Sequence, residues 1–318
     1  MSFPDARAGQ GGGAAGGWLR EWLTAWNTFW FTPADPLPLA VVRICAGALL
    51  AWSSIVWLLD AEGFFGGSAW LPPEEVWRMN DQPWQWSWYF AVSSAGGPQL
   101  LTIATLVAAI LLTLGLATPL AAVVSLAGFI SAANRAPLNV FGFDDILGML
   151  LVAVAVGPSG AALSLDRLLF GGGRGPAASV LANIALRLVQ VHLCIVYFFS
   201  GAGKMLGASW WEGTALWGAA ANVQYRTLDL TWLARHPLLT NLLTLSTLFW
   251  EVSYPALVWP RLTRRLVLAM AVLVHLGIGL AMGMMEFGLA MLVANMAFVP
   301  AETFRGIASA AGAGPVRR

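Results

Sequence analysis

Tyr197-Phe198-Phe199-Ser200-Gly201-Ala202-Gly203-Lys204 closes an apolar run that begins near Leu181. A helix needs roughly 20 apolar residues to cross a hydrocarbon core of about 30 Å, and this run has that length. Arg187, Gln190 and His192 lie inside it, and it ends on two glycines and the only lysine in the chain. Trp210, Trp211, Glu212 and Gly213 follow. Ionisable groups in such a helix are costly and normally face a partner or a cavity. The ammonium of Lys204 is therefore the first candidate for chemistry.

The rest of the composition agrees with a membrane setting. The chain has 318 residues, 58% hydrophobic and 10% charged, with a mean hydropathy of +0.71. Soluble domains carry about 25% charged residues. The expected fold is an all-α polytopic transmembrane bundle, with the lipid bilayer as its first partner. The net charge of +1 gives no basic excess for nucleic acid. Cys45 and Cys194 fall in different apolar runs and read as packing residues rather than a disulfide framework. No cleavable signal peptide is expected, because residues 1–17 lack an apolar stretch.

In order, residues 1–17 read as a flexible tail and 18–32 as an interfacial amphipathic helix. In that helix Trp18, Trp22, Trp26 and Trp30 recur every fourth residue; a short helix packed on the bundle fits as well. A transmembrane domain over 33–300 and a cytoplasmic tail over 301–318 complete the division. About eight spans are expected, near 38–59, 99–114, 118–133, 143–157, 181–201, 238–258, 265–283 and 286–300. Two outer loops, 60–98 and 202–237, are rich in tryptophan. Gly171–Gly175 reads as a linker, and Gly201-Ala202-Gly203-Lys204 fails the phosphate-loop pattern because Met205 stands where Ser or Thr is needed. With both termini cytoplasmic, ten Lys and Arg residues fall on inner segments and five on outer ones. That asymmetry favours this orientation.

Under that topology Asp144, Asp145, Lys204 and Glu286 meet the outer face at helix ends. A lysine that stands uncharged can accept a proton, so Lys204 is a candidate base; the alternative is an ammonium reaching to lipid headgroups. Gly201 and Gly203 would admit a close backbone or a flat ligand. Asp144 and Asp145 suit a helix start, or one of them pairs with Lys204 or Arg135 or contacts substrate. Deeper in the bundle lie Arg43, Arg187, His192, Glu251 and His275. An Arg187–Glu251 pair would lock packing, with Arg43 as a competing partner. His192 and His275 could ligate a haem iron, but packing histidines are commoner, and no cluster has metal-site spacing.

The stretch Tyr197–Lys204, then Trp210 and Glu212-Gly213, resembles the lysine segment of vitamin K-dependent gamma-carboxylases. It is more similar still to their bacterial relatives, the HTTM (horizontally transferred transmembrane) domain proteins. Asn134 to Asp145 and the Trp-rich first outer loop share that character, and the resemblance covers roughly residues 30–300. In the carboxylases the matching lysine deprotonates vitamin K hydroquinone, which starts the oxygenation that drives glutamate carboxylation. The resemblance implies that role for Lys204. It also implies a quinol-like cofactor or substrate, with Tyr197, Gly201, Gly203, Trp210, Trp211 and Glu286 around it. The region matching the carboxylase catalytic histidine, Leu138–Asp145, has Asp144 and Asp145 but no histidine. The chain also ends soon after its last span, without the soluble domain that engages a protein substrate, so peptide carboxylation is not expected. A surviving site for a lipid-soluble ligand, with an aromatic cavity near Lys204 open to the outer face, is the leading expectation. A non-catalytic membrane partner docking another protein through its outer loops is the alternative. A transporter is disfavoured by the lack of internal repeats.

Overall fold

The computed structural model describes residues 14–310 except 80, 81, 83, 93, 95 and 172–174. The first thirteen and last eight residues of the expected tails, and most of the glycine linker, lie outside the described residues. The helices are α1 (Ala14–Phe31), α2 (Leu37–Leu59), α3 (Ala61–Phe65), α4 (Pro73–Met79), α5 (Gly97–Leu114), α6 (Thr118–Arg135), α7 (Gly142–Val156) and α8 (Leu165–Phe170). They continue as α9 (Val180–Met205), α10 (Ala208–Trp211), α11 (Ala215–Ala221), α12 (Pro237–Leu257), α13 (Arg261–Met282), α14 (Met285–Asn295) and α15 (Ala301–Ala310). Among the described residues the only β pairing is an isolated antiparallel bridge between Ala34 and Ser179.

All-α architecture is thus what the chain adopts. Each of the eight expected spans falls on a helix: α2, α5, α6, α7, α9, α12, α13 and α14. Among the described residues only α2, α5, α9 and α13 are by themselves long and apolar enough to cross a membrane. A fifth candidate is a pair bent by 109°, Met285–Phe298 with Ala301–Ala310. Length explains part of the shortfall: the 15 residues of α7 rise about 22 Å, less than the hydrocarbon thickness. Two tail boundaries shift. Residues 14–17 already belong to α1, and 301–310 form α15, with Phe304 packed on Leu37, Ala40 and Ala162.

The main core lies between α2, α5, α6, α7, α9, α12, α13 and α14, around Leu50, Leu112, Ile146, Leu150, Val189 and Tyr197. Prolines set the helix starts, at Pro98, Pro119 and Pro237 in the first turns of α5, α6 and α12. There the missing N–H is no loss and φ is already helical. α1 is anchored at its C-terminal end: Asn183 Nδ2 donates to the carbonyls of Phe29 and Trp30 at 2.8 Å each. Its tryptophans stack along the stripe, Trp22 on Trp26 at 5.5 Å, while Trp18, Trp22 and Trp26 stay exposed.

The α5–α6 turn is the tight one the sequence predicts. Gly115 has φ +70° and Ala117 has φ +46°, both in the left-handed region. For Ala117 that backbone is strained by its Cβ. Asp166, at the start of α8, holds it in place. Its carboxylate accepts from Ala117 N (2.8 Å), Thr118 N (2.8 Å) and Thr118 Oγ1 (2.7 Å), the work of an N-cap supplied from another helix. Desolvation opposes the charged carboxylate, but these bonds and the Arg43 charge outweigh it and hold the Asp166 carboxyl below its ordinary value. A depressed carboxyl stabilises the fold above its ordinary titration range, and that stability is lost as pH falls through the lowered value. Asp166→Ala should therefore cost about 1–2 kcal/mol, the loss of a strong cap, in thermal unfolding of the detergent-solubilised protein at neutral pH. The gap to wild type should narrow in acid.

Candidate functional site

Lys204 occupies the last turn of α9, and its ammonium points into the bundle. Nζ donates to Ser200 Oγ at 2.6 Å, one turn back on the same helix, and to Glu251 Oε1 of α12 at 3.0 Å. Glu251 Oε2 lies 2.7 Å from Nζ, an ionic contact outside hydrogen-bonding geometry. The side chains are 25% and 9% exposed, so the lysine is not extended toward headgroups. The Trp210 ring covers it, 5.4 Å from ammonium to centroid. This corrects the Arg187–Glu251 pairing expected from sequence. Arg187 is held at the other end of α9 by Gln190 Oε1 (2.8 Å) and the Phe29 carbonyl (3.2 Å), and it stacks over the Phe29 ring at 4.2 Å.

Gly201 is where α9 and α12 come closest here. A Cβ at that position would meet Val252 Cγ2 at 2.8 Å and Val252 N at 3.1 Å. That approach lets the ammonium reach Glu251. Gly203 has open space instead, so it serves no close contact within the chain. Trp211 is exposed and donates from Nε1 to the Met205 carbonyl at 2.7 Å.

Beside the pair lies a buried polar chain. Tyr254 donates to Asn295 Oδ1 (2.8 Å), Asn295 Nδ2 donates to the Tyr197 hydroxyl (3.1 Å), and that hydroxyl lies 2.6 Å from His275 Nε2. The Tyr197 oxygen has two lone pairs, so the bond from Asn295 leaves it free either to donate to His275 Nε2 or to accept from it. His275 Nδ1 has no partner among the described residues. The Tyr197 ring packs on Tyr254 at 4.0 Å and Trp250 at 4.8 Å. The Lys204 charge acts on His275 and the Glu251 charge on Tyr197, so pair and chain share one electrostatic neighbourhood.

The remaining candidates gather elsewhere. Asp144 accepts from Phe141 N at 3.0 Å, capping its own helix, and pairs with neither Lys204 nor Arg135. Asp144, Asp145 and His192 line a shallow cavity of about 460 Å³ between α6, α7 and α9. The charges of Asp145 and Glu286 act on Asp144, and Glu286 accepts from Trp52 Nε1 at 2.5 Å. His192 and His275 do not meet, the first being exposed and the second engaged by Tyr197. Arg43 is fully buried and donates to the Leu163 carbonyl at 2.5 Å, under the charge of Asp166 rather than near Glu251.

The described cavities are not lined by Lys204. Among the described residues no group of three or more His, Cys, Asp or Glu side chains is placed to hold a metal ion. Sequence reasoning offered Arg135 only as a partner for Asp144 or Asp145 and missed its role: it is buried at the end of α6 and gathers the carbonyls of Phe65 (3.1 Å), Gly66 (2.7 Å) and Leu71 (3.0 Å). It pins the first large loop. Its signal was in the sequence: an arginine in the last turn of an apolar helix. Comparison with family models, curated proteins and solved structures returns no match.

Removing one member of a buried ion pair strands the other, which costs more than the pair contributes. Glu251→Ala should thus destabilise by about 2–3 kcal/mol. The double change Lys204→Met with Glu251→Leu should recover most of that loss in the same thermal unfolding assay.

Proposed function

We propose that this chain is a multi-pass membrane protein of the carboxylase-like HTTM type, with eight spans and both termini cytoplasmic, and that Lys204 acts as the base toward a quinol-like lipid. The bacterial inner membrane is its proposed location. The observation that carries the reading is the Lys204–Glu251 pair, an amine and a carboxylate within 3.0 Å inside an apolar bundle. In the proposed step the ammonium first passes a proton to the Glu251 carboxylate, and the free amine then takes the proton of a ligand hydroxyl. The ligand is then an oxyanion beside a new ammonium, and its charge is stabilised where it forms. Ser200 orients the amine, and the Tyr197–His275 hydrogen bond offers a second proton acceptor in the same neighbourhood. Trp210, over the ammonium, is the element that a ligand would displace or stack on.

The test is quinol binding and turnover in membranes containing wild type or Lys204→Ala. General bases contribute about 10²–10⁴-fold, so turnover should fall by at least about a hundredfold. Unchanged turnover removes Lys204 from the chemistry. The eight-span arrangement has its own check. After Cys45 and Cys194 are replaced by serine, single cysteines at Ser68 and Glu212 should react with an impermeant thiol reagent from outside intact cells. A cysteine at Leu168 should react only after the membrane is opened.

A second reading has its own support. Trp70, Trp77, Trp84 and Trp86 are exposed on the first large loop, and the described cavities do not reach Lys204. In that reading the chain is a non-catalytic partner that docks another membrane protein through its tryptophan-rich segments. A stoichiometric protein that co-purifies with Lys204→Ala as well as with wild type would favour it.

A further inference from the structure

The largest described cavity, about 1000 Å³, lies at the opposite end of α9 from Lys204. Its walls are the first turns of α9, the first two turns of α13, and the segment that turns from α14 into α15. Four arginines line it, Arg187, Arg261, Arg264 and Arg265. Among the described residues none of the four has a carboxylate partner. Arg187 is satisfied by an amide and a carbonyl, and Arg264 donates to the carbonyls of Val258 (3.0 Å) and Trp259 (2.5 Å). None of these bonds neutralises charge, and the charge of Arg264 acts on Arg187. Arg261 and Arg265 are exposed at the mouth.

Two acids share the cavity. Asp35 is committed already: it caps α2 through Leu37 N at 2.9 Å and is ion-paired with Arg305. Only Glu302, exposed at the rim, is left against four cations. The positive end of the α13 dipole adds to the same sign. The lining between the arginines is apolar, with Trp259, Phe298, Leu186 and Leu268. Among the described residues α13 is one of the four helices long and apolar enough to cross a membrane, and the cavity sits at its N-terminal end, the kind of position at which a spanning helix meets headgroups.

We propose that this cavity binds a phosphate group, with the guanidiniums as its ligands and the apolar lining as the seat for an attached acyl chain. Planar guanidiniums match phosphate oxygens in pairs and give the strongest charge-assisted hydrogen bonds available to a side chain. The source of the phosphate is an anionic phospholipid or a soluble phosphate. The site is independent of the Lys204 reading.

The experiment uses the full chain in non-ionic detergent and follows the quenching of tryptophan fluorescence, with native mass spectrometry for stoichiometry. The probes are dihexanoyl phosphatidylglycerol, inorganic phosphate and dihexanoylglycerol, which lacks phosphate. Arg261→Gln/Arg265→Gln is the test variant, because neither side chain makes a hydrogen bond that holds the fold together. It should weaken phosphatidylglycerol binding by at least about tenfold, the loss of one charge-assisted bond or more. Glu302→Gln should tighten it. Variant-sensitive binding of inorganic phosphate alone identifies a soluble source, and binding of the lipid alone identifies a headgroup. The proposal is overturned if the arginine variant leaves both affinities unchanged, or if dihexanoylglycerol binds as well as the phospholipid.

Discussion

An ammonium inside an apolar helix bundle must be met by an anion from another helix, and that requirement ties α9 to α12. The lysine lies in the last turn of α9, but its partner lies well within α12. Pairing them sets the two helices in a staggered register, so the first part of α12 runs on past the end of α9. The intervening segment has to cover that overhang. It does so with α10 and α11, both packed on α12, and Leu216 N donates to Thr244 Oγ1 at 3.2 Å. One ion pair therefore decides how residues 206–236 are arranged. Gly201 is its precondition, since a larger side chain would push the helices apart at that level.

The same rule accounts for the other buried polar groups. In a medium without water each donor needs an acceptor within the protein, so each polar residue becomes a constraint between distant parts of the chain. Arg135 gathers three carbonyls of the first large loop, Asn183 holds the last turn of α1, and Asn295 joins Tyr197 to Tyr254. Apolar contacts alone are interchangeable among neighbouring registers; these directional bonds are not. The Nδ1 atom of His275 stands outside this accounting, buried with no partner among the described residues.

The helices were legible because apolar runs, prolines and glycines mark their ends locally. The α5–α6 turn is the clearest case, since Gly115 and Pro119 announce it within five residues. What sequence could not supply was pairing. Arg187 and Glu251 looked like partners because both lie inside expected spans, but depth along two antiparallel helices depends on their stagger, and the Gly201 contact fixes that stagger. Asp144 and Asp145 gave a signal that local capping and a distant site share equally; the backbone N–H of Phe141 decides for capping at Asp144. Lys204 was legible as the singular residue of the chain. Its orientation was not, because reaching outward and folding inward have the same sequence pattern.

Lys204 and Arg187 sit on one helix, 17 residues and so about 25 Å apart, yet their charges are handled in opposite ways. The ammonium has a carboxylate in contact and a ring over it, and the described cavities do not open onto it. Among the described residues the guanidinium of Arg187 bonds only to neutral oxygens, and the charge of Arg264 acts on it. Like charges repel unless solvent or an anion screens them. The open cavity at Arg187 gives the arginine cluster access to solvent or an anion, whereas the charge of Lys204 is met by Glu251. A compensated charge between fixed partners is suited to moving a proton among them. An uncompensated cluster in an open site is suited to holding an anion that comes from outside. The two ends of α9 thus differ in kind, and the difference follows from which end received the glutamate.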